Sequence, residues 1–224
     1  MKKRNFAVIF DMDGVIVNNN LYHKKAWKLF CKRHNLNISQ KELNLNIYGK
    51  LNSNILMHLF GKKLANKQIF KYAEEKEGIY RNIYKKYIAL TKGLANFLKL
   101  LDDYGIKCAI ATSAPQKNIK LILTKTGIKK YFKTIVDASQ VSRGKPHPEI
   151  YLKTAKEMNF NPSKCIVFED SISGIKAAKT AGMKVIALST THSKKELKAD
   201  LTIRDFTQIN IKALDSIYNP IKHP

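Results

Sequence analysis

Five short runs along the chain, FAVIF (residues 6–10), IKCAIAT (106–112), TIVDA (134–138), CIVFED (165–170) and KVIALS (184–189), are apolar and rich in β-branched residues, the pattern of strands buried on both faces. Between the later runs lie amphipathic stretches, GLANFLKLLDDYG, QKNIKLILTKTG, PEIYLKTAKEMNF and GIKAAKTAGM, several closed by a glycine where a left-handed helix cap would sit. Strands alternating with helices predict an α/β fold, a doubly wound parallel sheet with right-handed crossovers.

One interval breaks the alternation. LYHKKAWKLFCKRHN, SQKELNLNIYG, NSNILMHLF and NKQIFKYAEEKEGIYRNIYKKYIAL follow one another with helical periodicity and no strand between them. About four helices inserted after the first strand predict an α-helical cap domain over residues 18–90. The α/β core is then made of residues 1–17 and 91–224, with linkers near 17–20 and 90–93.

Composition narrows the picture. No stretch of the 224 residues approaches the roughly 20 apolar positions of a membrane span, and the Lys2, Lys3, Arg4 start precedes too short an apolar run for a signal peptide, so a cytoplasmic protein with no membrane partner is expected. Cys31, Cys108 and Cys165 are widely spaced among apolar neighbours, as reduced core residues are. The net charge of +24 invites a nucleic-acid reading. Against it, lysine outnumbers arginine 36 to 5 and is spread along the whole chain, whereas phosphate forks favour arginine, so no specific nucleic-acid partner is expected.

The chemistry gathers where the strands end. In an open α/β sheet, ligands bind outside the carboxyl ends of the strands, and Asp11 and Asp13 stand just past the first run. Thr112 and Ser113 follow the second, Lys145 lies in the loop after TIVDA, and Glu169 and Asp170 close CIVFED. Each alone has an ordinary explanation as a cap, a turn residue or a solvated loop lysine. Together they bring carboxylates, a hydroxyl and an amine from four strand ends to one crevice, where crowded carboxylates call for a cation. Oxygen ligands beside a phosphate-binding hydroxyl and amine suit Mg2+.

The set DMDGV, ATSAP, Lys145 in GKPHPEIY and FEDSISGIKAAKTAGM resembles, in order and spacing over essentially the whole chain, the four motifs of the haloacid dehalogenase superfamily, in its β-phosphoglucomutase-like phosphatase branch with a helical cap after the first motif. The resemblance implies a Rossmann-type core and a Mg2+-dependent phosphatase. Its substrate would be a small phosphorylated metabolite, with sugar phosphates among the candidates, and its intermediate a covalent aspartyl phosphate. By this likeness Asp11 is the nucleophile, and Asp13 protonates the leaving oxygen and later activates water. Ser113 and Lys145 hold phosphoryl oxygens, and Gly14 lets the backbone approach them. Asp11, the backbone carbonyl of Asp13, and Asp170 hold the metal, with Glu169 close by in a ligand or supporting role. A carboxylate can act as the nucleophile when a metal and a lysine neutralise the charge on the transferring group. Dehalogenases and phosphonate hydrolases of the superfamily resemble this chain in the nucleophile but lack an acid such as Asp13, which favours phosphoryl transfer. GIKAAKTAGM is expected to be a helix packed closely on the sheet, without a catalytic part.

In the cap, LYHKKAW (21–27) resembles the hinge of β-phosphoglucomutases, in which a histidine at the place of His23 helps time the general acid. A sugar phosphomutase is therefore the alternative reading. Those mutases carry a threonine where Asn19 stands, and a lysine and an arginine where this chain has Tyr48 and Asn52. Asparagine cannot replace a bidentate grip on a second phosphate, so hydrolysis is expected to outrun isomerisation. His23 also has a purely structural reading, as a helix residue facing the cleft or core. Trp27 is expected in the cap core, at helical spacing with His23, Phe30 and Cys31. A third reading, a basic nucleic-acid-binding protein on a disabled enzyme fold, is opposed by the filled catalytic positions.

Overall fold

The structure, a computed structural model, describes residues 4–39 and 51–218; Tyr48 and most of the expected helix SQKELNLNIYG lie outside the described residues. Between strand β1 (Ala7–Phe10) and strand β2 (Cys108–Ala111) run helices α1 (Asn20–Arg33), α2 (Asn52–Phe60), α3 (Asn66–Tyr84) and α4 (Leu94–Asp103). Then follow α5 (Gln116–Thr126), β3 (Phe132–Val136), α6 (Glu149–Glu157), β4 (Cys165–Glu169), α7 (Ile172–Thr180), β5 (Lys184–Leu188), β6 (Leu201–Ile203) and α8 (Ile211–Tyr218). Among the described residues the strands form one sheet in the order β3-β2-β1-β4-β5-β6, with every neighbouring pair parallel.

The run FAVIF becomes the centre of this sheet because it can be buried on both sides. Val8 pairs with Cys108 on one edge of β1 and with Ile166 on the other. Strand alternation sends Val8, Phe10, Ile110 and Phe168 to one face and Ala7, Ile9, Ala109 and Val167 to the other. The first face is aromatic: the Phe10 and Phe168 rings stack at 5.1 Å, and Phe97 of α4 and Phe206 close over them. The second face carries small residues, Ala7, Ala109, Ala111 and Ala187, and it packs with Ile150, Tyr151 and Ala155 of α6 and Ala177 and Ala178 of α7. This places the polar ends of β1, β2 and β4 side by side.

Several boundaries differ from the sequence reading. Strand β3 starts at Phe132 and stops before Asp137, whose carboxylate accepts from the Ser139 N–H and turns the chain. Strand β6 is only three residues long and half-exposed over two of them, too short to show a period. The long helix α3 ends at Tyr84 rather than continuing to residue 90, because the returning chain pairs with the outgoing one. Val17 forms an antiparallel bridge with Leu90 and a parallel one with Asp13, and the Thr91 N–H donates to the Ile16 carbonyl at 2.9 Å. Trp27 and Phe30 of α1 and Tyr80 and Tyr84 of α3 are buried between the helices. Cys31, Cys108 and Cys165 are buried, and no disulfide joins them. No helix among the described residues is long and apolar enough to cross a membrane.

Candidate active site

The Asp11 N–H donates to the Phe168 carbonyl at 2.9 Å, one rung past the end of β1, so its side chain is held at the sheet edge, almost fully buried. The chain then turns at once, with the Ile16 N–H donating to the Met12 carbonyl and the Gly14 N–H to that of Val17. Gly14 has φ +79°, a region that costs other residues dearly. A Cβ there would also collide with the Asp170 carboxylate, so the group that requires this glycine's bareness within the protein is Asp170.

Lys145 reaches into the same space from the loop before α6. Its buried ammonium donates to Asp11 Oδ1 at 2.7 Å and to Glu169 Oε1 at 2.6 Å. Glu169 is spoken for on both oxygens: Oε1 accepts also from Tyr151, and Oε2 accepts from the backbone N–H groups of Asp170 and Ser171 and from the Ser171 hydroxyl. Burial acts to raise its pKa, but Lys145 and these donors outweigh it and hold the carboxyl below the usual range. Asp170 Oδ2 accepts from Asn20 at 3.1 Å and from the Thr191 hydroxyl.

Asp11, Glu169 and Asp170 each offer an oxygen within 4.8 Å of the others. Burial pushes Asp11 well above the ordinary carboxyl range despite Lys145, and burial together with the Glu169 charge lifts Asp170 to about 7. Three buried carboxyl groups with oxygens this close favour a shared cation over mutual repulsion, and hard oxygen donors of this kind fit Mg2+. Asp11 and Asp170 could serve as its ligands; Glu169 belongs to the cluster with its oxygens already committed.

Asp13 and the helices beyond it form a second network. The Asn19 amide, fully buried, donates to Asp13 Oδ1 at 2.5 Å and to the Tyr80 hydroxyl at 2.6 Å, and its oxygen accepts from the Gly14 N–H. His23 lies stacked on Tyr80 with ring centroids 3.9 Å apart. Lys76 Nζ stands 2.8 Å from His23 Nδ1. An ammonium can only donate, so Nδ1 accepts and the ring proton sits on Nε2, facing Asp13 Oδ2 at 3.5 Å. Burial works to raise Asp13, but His23 and Asn19 outweigh it and draw the carboxyl below its ordinary value.

Asp11, Asp13, His23, Asn52, Ser113, Lys145 and Asp170 all line one cavity of about 70 Å³. Asn19 and Glu169 stand behind that wall, holding Asp13 and Lys145 respectively. Lys76 and Glu77, which sequence reasoning passed over, also line it. In KYAEEKEGIY they look like one face of a solvated charged helix, and nothing local marks two of those charges as buried. Gly174 is a second omission: a Cβ there would run into the Glu169 carboxylate, so GIKAAKTAGM supports the site as well as the sheet.

Against known proteins, the family model for haloacid dehalogenase-like hydrolases matches residues 8–188. The chain is 34% identical over 197 residues, 86% of its length and 88% of the other's, to a phosphorylated carbohydrates phosphatase of Thermotoga maritima. It is 30% identical to a β-phosphoglucomutase of Bacillus subtilis, with 93% of each chain covered. Among solved structures, a family IA, variant 3 hydrolase from Entamoeba histolytica superposes with a TM-score of 0.87 at 32% identity, over 95% of this chain and 99% of that one.

Proposed function

The chain belongs to the haloacid dehalogenase-like hydrolase family, and from that membership and the geometry of its site we propose that it is a Mg2+-dependent phosphatase of phosphorylated carbohydrates, acting through an aspartyl phosphate on Asp11. The observation that carries this reading is the pairing of two aspartates at the end of β1, one held by Lys145 among buried carboxylates and the other held by Asn19 and His23. In this reading an Asp11 oxygen attacks phosphorus as the bond to the leaving oxygen breaks, and Asp13, which must bind a proton in the substrate complex although His23 and Asn19 favour its anion in the free protein, gives that proton to the leaving oxygen. Asp13 then takes a proton from the water that displaces phosphate and restores Asp11. Lys145 and Ser113 hold the phosphoryl oxygens, and Glu169 fixes Lys145. Asp11, the Asp13 carbonyl and Asp170 would hold Mg2+, which supplies positive charge to the transferring group. Residues 18–90 act as a cap over a core of residues 1–17 and 91–224.

The test is phosphate release from a panel of sugar phosphates. Activity is expected with Mg2+ and none after EDTA, and Asp11→Asn should reduce turnover to background. Substantial release surviving chelation or the Asn substitution would rule out the mechanism. A second reading, a sugar phosphomutase, draws support from the His23 contact with Asp13 and from the resemblance to the Bacillus subtilis β-phosphoglucomutase. Asn52 weighs against it, since its amide is spent on Glu77 at 2.9 Å. Following phosphate release and isomer formation together on β-glucose 1-phosphate separates the two, and hydrolysis is expected to be the faster.

A further inference from the structure

We propose that Glu77 sets the charge of the substrate: by neutralising Lys76 it leaves the helical wall of the cavity without a grip for a second anionic group, and so restricts the enzyme to phosphate monoesters of uncharged alcohols. The inference rests on the phosphatase reading and deepens it.

The cavity has two unlike sides. Asp11, Ser113 and Lys145 line the side that would take the phosphoryl group, while Trp27, Asn52, Ile55, Lys76 and Glu77 line the side contributed by α1, α2 and α3. On that second side the cation among the described residues is Lys76, and it is engaged from three directions. It donates to Glu77 Oε1 at 2.8 Å and to His23 Nδ1 at 2.8 Å, and it lies 5.0 Å from the centre of the Trp27 ring. Glu77 is locked in place from three elements: Oε1 also accepts from Asn52 of α2, and Oε2 accepts from Asn118 of α5 at 2.6 Å. Both charged groups are almost completely buried, at 2% and 3% exposure, so solvent screens neither. Burial acts against the Glu77 charge, but Lys76 and the donors around it hold its pKa at about 2, so the carboxylate is ionised wherever the enzyme works.

A phosphate or carboxylate at the far end of a substrate would meet, among the described residues of this side, an already neutralised ion pair and no free cation to offset its desolvation. An uncharged polyol meets no such penalty. Leaving a charged group of the wrong partner without a counter-charge is a common route to specificity.

The experiment compares phosphate release from fructose 6-phosphate and fructose 1,6-bisphosphate, which differ by the second phosphate alone. The native enzyme is expected to favour the monophosphate in kcat/KM by about tenfold or more. Glu77→Gln, of the same shape, bares the Lys76 charge and should reduce that preference by about tenfold. Lys76→Met combined with Glu77→Gln removes both charges and should restore it to near the native ratio. Parity or a bisphosphate preference in the native enzyme overturns the proposal without any variant, as does an unchanged ratio in Glu77→Gln or an equal fall in the double variant. If the native enzyme releases phosphate from neither sugar, the phosphatase reading is what has failed. The ratio of calorimetric affinities for the two ligands, in native protein and both variants, then decides the part played by Glu77.

Discussion

Gly174 shows how much of the site depends on a side chain that is absent. Its φ is ordinary, so alanine would cost nothing in backbone conformation, yet a methyl group there must displace the carboxylate that holds Lys145. Gly174→Ala is expected to lose about 1–3 kcal/mol of stability from overpacking, measured by urea titration. It should also reduce kcat tenfold or more, because in the proposed mechanism a Lys145 shifted by about 1 Å would no longer meet the phosphoryl group. Unchanged turnover would mean that Glu169 accommodates the methyl without moving the lysine. Residues such as Asp11, Asp13 and Lys145 were legible in the sequence because each follows a recognisable strand or sits in a recognisable motif. Gly174 and the Lys76–Glu77 pair were not, since their parts depend on what the rest of the chain packs against them.

At the scale of elements, the contact between α3 and the start of α5 joins a helix that precedes β2 to one that follows it. Asn118 stands between Arg81, which donates to its oxygen at 3.0 Å, and Glu77, which accepts from its amide. Nearby, Glu74 accepts from Arg81 and from Lys117. The two pairs look alike in the sequence and differ in burial: Asn118 is fully buried, whereas the Lys117 side chain is 68% exposed. Asn118→Ala strands a buried carboxylate oxygen and should cost about 2 kcal/mol or more, while Lys117→Ala should cost under about 1 kcal/mol. Thermal melts of the two variants test the contrast, and equal losses would contradict it. The elements were visible as hydrophobic periods, and α2 in particular coincides with the run NSNILMHLF. What periodicity does not carry is which polar positions of two helices meet, because that depends on the angle between them.

At the scale of the whole molecule, the +24 charge is expected to stay outside the proposed chemistry. Among the described residues, the two lysines that line the cavity are each paired with carboxylates, Lys145 with Asp11 and Glu169, and Lys76 with Glu77. Affinity for DNA or RNA is expected to be weak, indifferent to sequence and steeply reduced by salt, as filter binding across a salt series would show; tight, sequence-selective binding at physiological salt would contradict this. The path of the chain carries a different consequence. Because Val17 and Leu90 face each other across a single antiparallel bridge, the outgoing and returning strands are only about 5 Å apart. Whatever lies between them is topologically a cassette. An insert of another length or shape could be exchanged at that junction while the sheet, Asp11 and Lys145 kept their places, so that, with the proposed division of labour, a lineage could change what it recognises without rebuilding how it reacts.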